Sequence, residues 1–186
     1  MQLSEQEIVR REKLKQLREL GIDPYPAAMF PVSDHTIDVH ENFEEGREVV
    51  LAGRLMSRRI QGKASFAELQ DSQGRVQVYF NRDEICAGED KTLYNEVYKK
   101  LLDIGDIIGV KGYVFITKMG EITVHVTEFT VLAKSLRPLP IVKEKEGTGI
   151  LASGLVVTQG GILNAVSTAS SQIILTLVLD NIQPVE

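Results

Sequence analysis

Apolar and polar residues alternate through the middle of the chain. The clearest run is Arg75 to Phe80, with Val76, Val78 and Phe80 on one face and Arg75, Gln77 and Tyr79 on the other. That is the period of a strand with one face buried. The same reading predicts strands over 49–60, 65–70, 107–116 and 121–133. Asp71-Ser72-Gln73-Gly74 is a turn by residue type, with Gly74 suited to a positive φ. Lys118-Met119-Gly120-Glu121 is a hairpin turn. Between the third and fourth strands the period changes: Leu93, Val97 and Leu101 recur every four residues, predicting a helix over about 90–102.

Ser4 with Glu7 three residues on is a capping-box pattern. Ile8, Leu14, Leu17 and Leu20 give a rough apolar stripe, and Gly21 stands where a helix ends. The expectation is an N-terminal amphipathic helix. Its Arg11, Lys15 and Arg18 form a basic face, either solvated or in contact with RNA or a second subunit. Residues 22–47, with Pro24, Pro26, Pro31 and many acids, read as an irregular connector. Three strands, a helix and two strands is the element order of the OB-fold, an all-β, five-stranded Greek-key barrel. Fold alone does not give function.

Charge divides the chain. All 21 Lys and Arg lie at or before Lys145, and of 26 acids only Asp180 and Glu186 lie beyond Glu146. Four parts follow: 1–47, helix and connector; 48–135, barrel; 136–146, linker; 147–186, an uncharged tail. The overall charge of −5 does not favour nucleic acid, so such binding needs a local patch. Met1 followed by a polar run, and a single Cys86, fit a protein without a signal peptide in a reducing, cytoplasmic setting. The tail run Ile173 to Leu179 is β-prone and uncharged, and polar interruptions over 150–179 argue against a membrane span.

One patch fits the need. Arg54, Arg58, Arg59 and Lys63 lie within ten residues without an acid, at the end of the first strand and in the following loop. They are either an ordinary basic hairpin or a phosphate footprint. In the second strand Ala67 and Leu69 suit the core, which puts Phe66 with Glu68 and Gln70 on the polar face. Phe66 there either packs under a loop or the N-terminal helix, or stacks an unpaired base. Gln77 joins that face from the third strand, and a carboxamide both donates to and accepts from a base edge. His35, His40 and His125 have no metal-ligand spacing, and Cys86 has no activating neighbour, so no metal or cofactor is expected. Gly105, Gly109 and Gly112 read as barrel bends.

The run from Ala52 to Tyr79, with Arg58-Arg59, Gly62-Lys63-Ala64-Ser65-Phe66 and Gln77, resembles the anticodon-binding domain of bacterial-type class II lysyl-tRNA synthetases. So do Arg11-Glu12-Lys13-Leu14, Tyr94-Asn95-Glu96, Gly105-Asp106-Ile107, Lys118 to Glu121 and Leu136-Arg137-Pro138-Leu139-Pro140. The resemblance covers residues 3–146. It implies that Phe66 stacks on the middle anticodon uridine and Gln77 hydrogen-bonds that base. It also implies that Arg59 contacts the anticodon loop, Arg58 and Lys63 meet phosphates, and Glu121 reads another base. The partner so implied is the anticodon loop of lysine tRNA. A generic single-stranded nucleic-acid or protein-binding OB module is the alternative.

The tail departs from that family, whose catalytic domain follows the linker, uses ATP and Mg2+, and supports a homodimer. Residues 147–186 hold no Lys or Arg to clamp a triphosphate. The expectation is a truncation, a shifted frame or a fusion, with the chain alone forming no lysyl-adenylate.

Overall fold

The structure, a computed structural model, describes residues 3–140 and two short backbone segments, 150–151 and 155–156. Its first unit is Met1–Leu139. Within this unit lie α1 (Glu5–Glu19), α2 (Thr36–Glu41), β1 (Glu48–Gln61), β2 (Ala64–Gln70), β3 (Arg75–Asn81), α3 (Arg82–Ile85), α4 (Leu93–Leu101), β4 (Ile107–Ile116) and β5 (Ile122–Ala133). The strands close into a barrel in the order β1-β2-β3-β5-β4, with β3 and β5 parallel and the other pairs antiparallel. This is the five-stranded OB architecture with a helix between the third and fourth strands. The second unit, Pro140–Glu186, contributes β6 (Ile150–Leu151) paired with β7 (Leu155–Val156). The expectations for an aggregation-prone run and against a membrane span fall largely outside the described residues.

The inward faces are those that alternation predicts. Leu51, Leu55, Leu69, Val76, Val78 and Phe80 are buried, each contributing about 1.5–3 kcal/mol on leaving water. Beyond a bulge between Lys111 and Gly112, β5 changes phase: Val124 and Val126 point inward, then Phe129 and Val131. Gly112 sits at that bulge because nothing larger fits: a Cβ there would lie 2.0 Å from the His125 carbonyl oxygen. Gly109 likewise accommodates the ring of Phe30. Close approach, rather than a bend, explains both.

α4 plugs one end of the barrel. It is wound more widely than an α-helix, with five-residue hydrogen bonds such as Leu102 N to Val97 O, 3.0 Å. This turns Tyr94, Val97, Tyr98 and Leu101 inward and leaves Leu93 only half-buried, where four-residue spacing placed it in the core. Tyr98 packs on Phe80 at 4.3 Å between ring centres, and its hydroxyl meets Ser65 Oγ at 2.8 Å.

The capping box of α1 forms, with Ser4 N donating to Glu7 Oε2 at 2.9 Å. The apolar stripe does not: only Leu17 is fully buried, and Ile8, Val9 and Leu20 are exposed. Polar bonds hold the helix instead. Arg10 donates to the carbonyls of Ser135 and Ile104, and Lys13 pairs with Asp103 at 2.5 Å. Lys134, whose side chain is fully buried, bonds Asp103 and Asp106 from the other side.

The connector is not irregular throughout, since α2 lies within it. Its start is tied to the β2–β3 turn by Asp71, whose carboxylate accepts from Thr36 N, Thr36 Oγ1, Gln73 N and Gly74 N at 2.7–3.0 Å. Gly74 is not in the left-handed region expected of it. It lies beside α2 instead, with a Cβ there falling 3.3 Å from Thr36 Oγ1.

Candidate nucleic-acid interface

The outer face of β2, β3 and β5 is open, and the candidate side chains meet there. Phe66 stands on β2 directly across from Tyr79 on β3, their ring centres 5.0 Å apart. Gln77 lies across from Glu68 on one side and Thr123 on the other. Its Nε2 donates to Thr123 Oγ1 at 3.1 Å, and that hydroxyl donates on to the Glu121 carbonyl at 3.2 Å. The chain of bonds fixes the amide, leaving Oε1 and one N–H free for a ligand edge.

Arg59 reaches this face because β1 carries an extra residue. Leu55 opposes Leu69, but Ser57 opposes Glu68, so Met56 bulges out. Beyond the bulge Arg58 opposes Ala67 and Arg59 opposes Phe66. Without it the arginines would exchange places. The guanidinium of Arg59 lies 5.9 Å from the Phe66 ring centre. Arg58 is committed elsewhere: it donates to the carbonyls of Tyr98 and Lys99 at the end of α4, over the Tyr98 ring. Lys63, in the β1–β2 turn, is exposed and pairs with Asp83 at 3.4 Å. Hydrogen bonds from Arg82 and then Lys63 hold the Asp83 carboxyl below its ordinary range.

Two adjoining hollows mark the face. One, about 580 Å3, runs from Phe66 and Gln77 past Glu68 to Arg75 and His40. The other, about 470 Å3, runs toward the β4–β5 hairpin and is walled by Tyr79, Phe115, Met119 and His125. Arg59, Phe66, Gln77 and Glu121 border both. Four of the six residues singled out in the sequence therefore share one site. Arg58 touches only the first hollow, and Lys63 borders neither. Phe66 is half-buried against Tyr79, with Arg59 over it, rather than covered by α1. The aromatic wall of the second hollow is not visible in the sequence spacing. Alternation puts Tyr79 on the outer face, but its meeting with His125 and Phe115 depends on the parallel β3–β5 pairing. Among the described residues no His, Cys, Asp and Glu cluster suits a metal.

An aromatic platform, an oriented amide, a cation above the ring and a carboxylate at the rim suit the face and edge of an unpaired base. Residues 49–132 match the tRNA anticodon family, described as an OB-fold nucleic acid binding domain. The barrel is an OB-fold domain, and it matches that family's model along almost its whole length. The chain is also 67% identical over 147 residues to a lysine–tRNA ligase of Christiangramia forsetii, covering 78% of this chain and 26% of that protein. Lysine–tRNA ligases of Porphyromonas gingivalis (60% over 152 residues; 79% and 26%) and Moorella thermoacetica (53% over 134; 71% and 26%) are similar. The chain thus spans about a quarter of the length of these relatives. The OB domain places its open face on β2 and β3, as oligonucleotide-binding barrels of this fold do. Among the described residues no helix is long and apolar enough to cross a membrane.

Proposed function

We propose that the OB domain reads the anticodon of a lysine tRNA, UUU, through its middle uracil. The carrying observation is that Arg59, Phe66, Gln77 and Glu121 border one open groove. Phe66 stacks on the middle base, and Arg59, whose guanidinium lies over the Phe66 ring, meets the adjoining phosphate. The free Oε1 and N–H of Gln77 match the N3–H and O4 of uracil, a donor and an acceptor side by side. Glu121 accepts from a neighbouring base. The similarity to lysine–tRNA ligases supports lysine as the cognate amino acid.

The longer relatives' named activity, joining lysine to tRNA, is the setting in which this domain works. On this reading it belongs to a cytoplasmic, dimeric ligase whose ATP and Mg2+ are held outside the residues described. Binding of the full chain to a UUU anticodon stem-loop tests the reading. Phe66→Ala is expected to weaken binding about tenfold or more while leaving the melting transition in place, stacking being worth about 1–3 kcal/mol per base. Unchanged binding by that variant refutes it.

A further inference from the structure

Away from the groove, charged side chains converge where β5 ends and the chain leaves the barrel. At the centre is Asp106, whose side chain is fully buried. Its Oδ2 accepts from Lys134 Nζ at 2.8 Å and from Asp103 N at 2.7 Å, and its Oδ1 accepts from Ser135 N at 2.8 Å. Lys134, equally buried, also bonds Asp103 at 2.6 Å, and Lys13 of α1 meets the other oxygen of that carboxylate. The backbone here is held as firmly as the side chains. Lys134 N donates to the Pro24 carbonyl at 3.2 Å, and the Lys134 carbonyl accepts from the Tyr25 hydroxyl at 2.7 Å. Ser135 N is bound by Asp106, and the Ser135 carbonyl accepts from Arg10 at 3.1 Å. All the backbone polar groups of these two residues are therefore bonded, and no partner lies in a strand. Further on, Leu139 lies over Gly105, where a Cβ would fall 3.2 Å from Leu139 Cγ.

We infer that this cluster is a brace that fixes the direction in which the chain leaves the barrel, with α1 and the Pro24–Tyr25 stretch as its outer struts. Residues 134–139 are then a rigid extension of the OB domain, and the first part of the 136–146 stretch is no flexible linker. Net stability alone does not account for the cluster. A buried ion pair adds little over apolar packing of the same volume, because the loss of water offsets the attraction. What a fully bonded polar network supplies is one set of directions. The same reading explains α1, which stays in place without an apolar seam: its Arg10 and Lys13 are struts. The first unit ends at Leu139, so the brace acts on the last residues before the chain passes to the second unit. It stands apart from the RNA-reading role, since neither Asp106 nor its partners border the hollows.

The test is backbone NMR on the full chain, reading relaxation and amide exchange together. In the parent, Arg137 and Leu139 are expected to show order parameters near those of the strands, about 0.85. Asp106→Asn keeps the shape and removes the charge. It is expected to speed exchange at Lys134 and Ser135 at least tenfold and to drop the order parameters of Arg137 and Leu139 below about 0.6, while the amides of β2 and β3 keep their protection. Tyr25→Phe removes only the bond to the Lys134 carbonyl, and is expected to speed exchange at Lys134 and Ser135 at least threefold. A role in global stability alone would speed all these amides together, and that result overturns the inference. So do order parameters below about 0.6 at Arg137 and Leu139 in the parent, or variants that leave the exit unchanged. Should Asp106→Asn fail to fold, the parent's relaxation and Tyr25→Phe still decide the matter. Loss of U-over-C preference at the middle base is a separate outcome, which strikes the proposed function and not the brace.

Discussion

Arg59 lies over the ring of Phe66, 5.9 Å from its centre, because one bulged residue in β1 puts the two directly across from each other. The same bulge sends Arg58 to the carbonyl end of α4. Adjacent arginines thus hold different posts. Arg59→Ala is expected to reduce the slope of log affinity against log salt by about 0.7, one single-strand phosphate contact, with little change in melting temperature. Arg58→Ala is expected to destabilise the fold by about 1.5–3 kcal/mol, as charged hydrogen bonds to two part-buried carbonyls are lost. Its salt slope should stay near that of the parent. Salt titrations and urea melts of the two variants separate the posts.

Thr123 sets the orientation of Gln77 from a fully buried position. Thr123→Val keeps the shape but removes the hydroxyl, so the amide loses its anchor. The variant is expected to bind a UUU stem-loop somewhat more weakly and to lose several-fold of its preference for U over C at the middle base. Paired affinities for the two stem-loops check this. A preference equal to the parent's would mean that the amide is not oriented through Thr123.

Two carboxylates give the fold an acid limit. At Asp71 burial alone would raise the pKa, but hydrogen bonds from the Thr36 side chain and backbone, then Gln73 and Gly74, outweigh it and lower it. At Asp103 burial is again outweighed, by Lys13 and Lys134. A carboxylate whose folded pKa is depressed adds stability that is fully present above its unfolded pKa, about 3.9, and is lost as pH falls through the folded value. Stability measured by urea melts should therefore fall below about pH 4. Asp71→Asn should be less stable at neutral pH and show a shallower acid decline.

Gly112→Ala would drive a methyl group into the His125 carbonyl, at 2.0 Å from the ideal Cβ position. Backbone on both sides leaves no flexible group to yield. A loss of more than about 3 kcal/mol is expected, readable as a lowered urea midpoint. Gly62→Ala, at an open turn with φ +61°, should cost only about 1 kcal/mol.

Much of this was legible in the sequence, and the gaps have physical causes. Period-two alternation placed Phe66 and Gln77 on one polar face, since neighbouring strands share a pleat. It could not reveal the bulge at Met56, because one inserted residue leaves no mark in composition. Spacing alone therefore leaves Arg58 and Arg59 together in one basic patch. The aromatic wall was hidden for a related reason: Tyr79, Phe115 and His125 lie on three strands, brought together by the parallel β3–β5 pairing and the β4–β5 hairpin. α2 leaves no sign in the sequence pattern because its six residues are too short to show a helical period, and Asp71, far along the chain, secures its start. The stripe read along α1 failed because polar bonds to the barrel, not a greasy seam, hold that helix.

The most direct test of the central claim compares binding of the full chain to anticodon stem-loops carrying UUU and UCU at one salt concentration. A preference for U of about tenfold or more, worth about 1.4 kcal/mol, that disappears in Gln77→Ala is the predicted result. Equal affinity for the two, falling together as salt rises, would contradict it, because only a charged surface would then be holding the RNA.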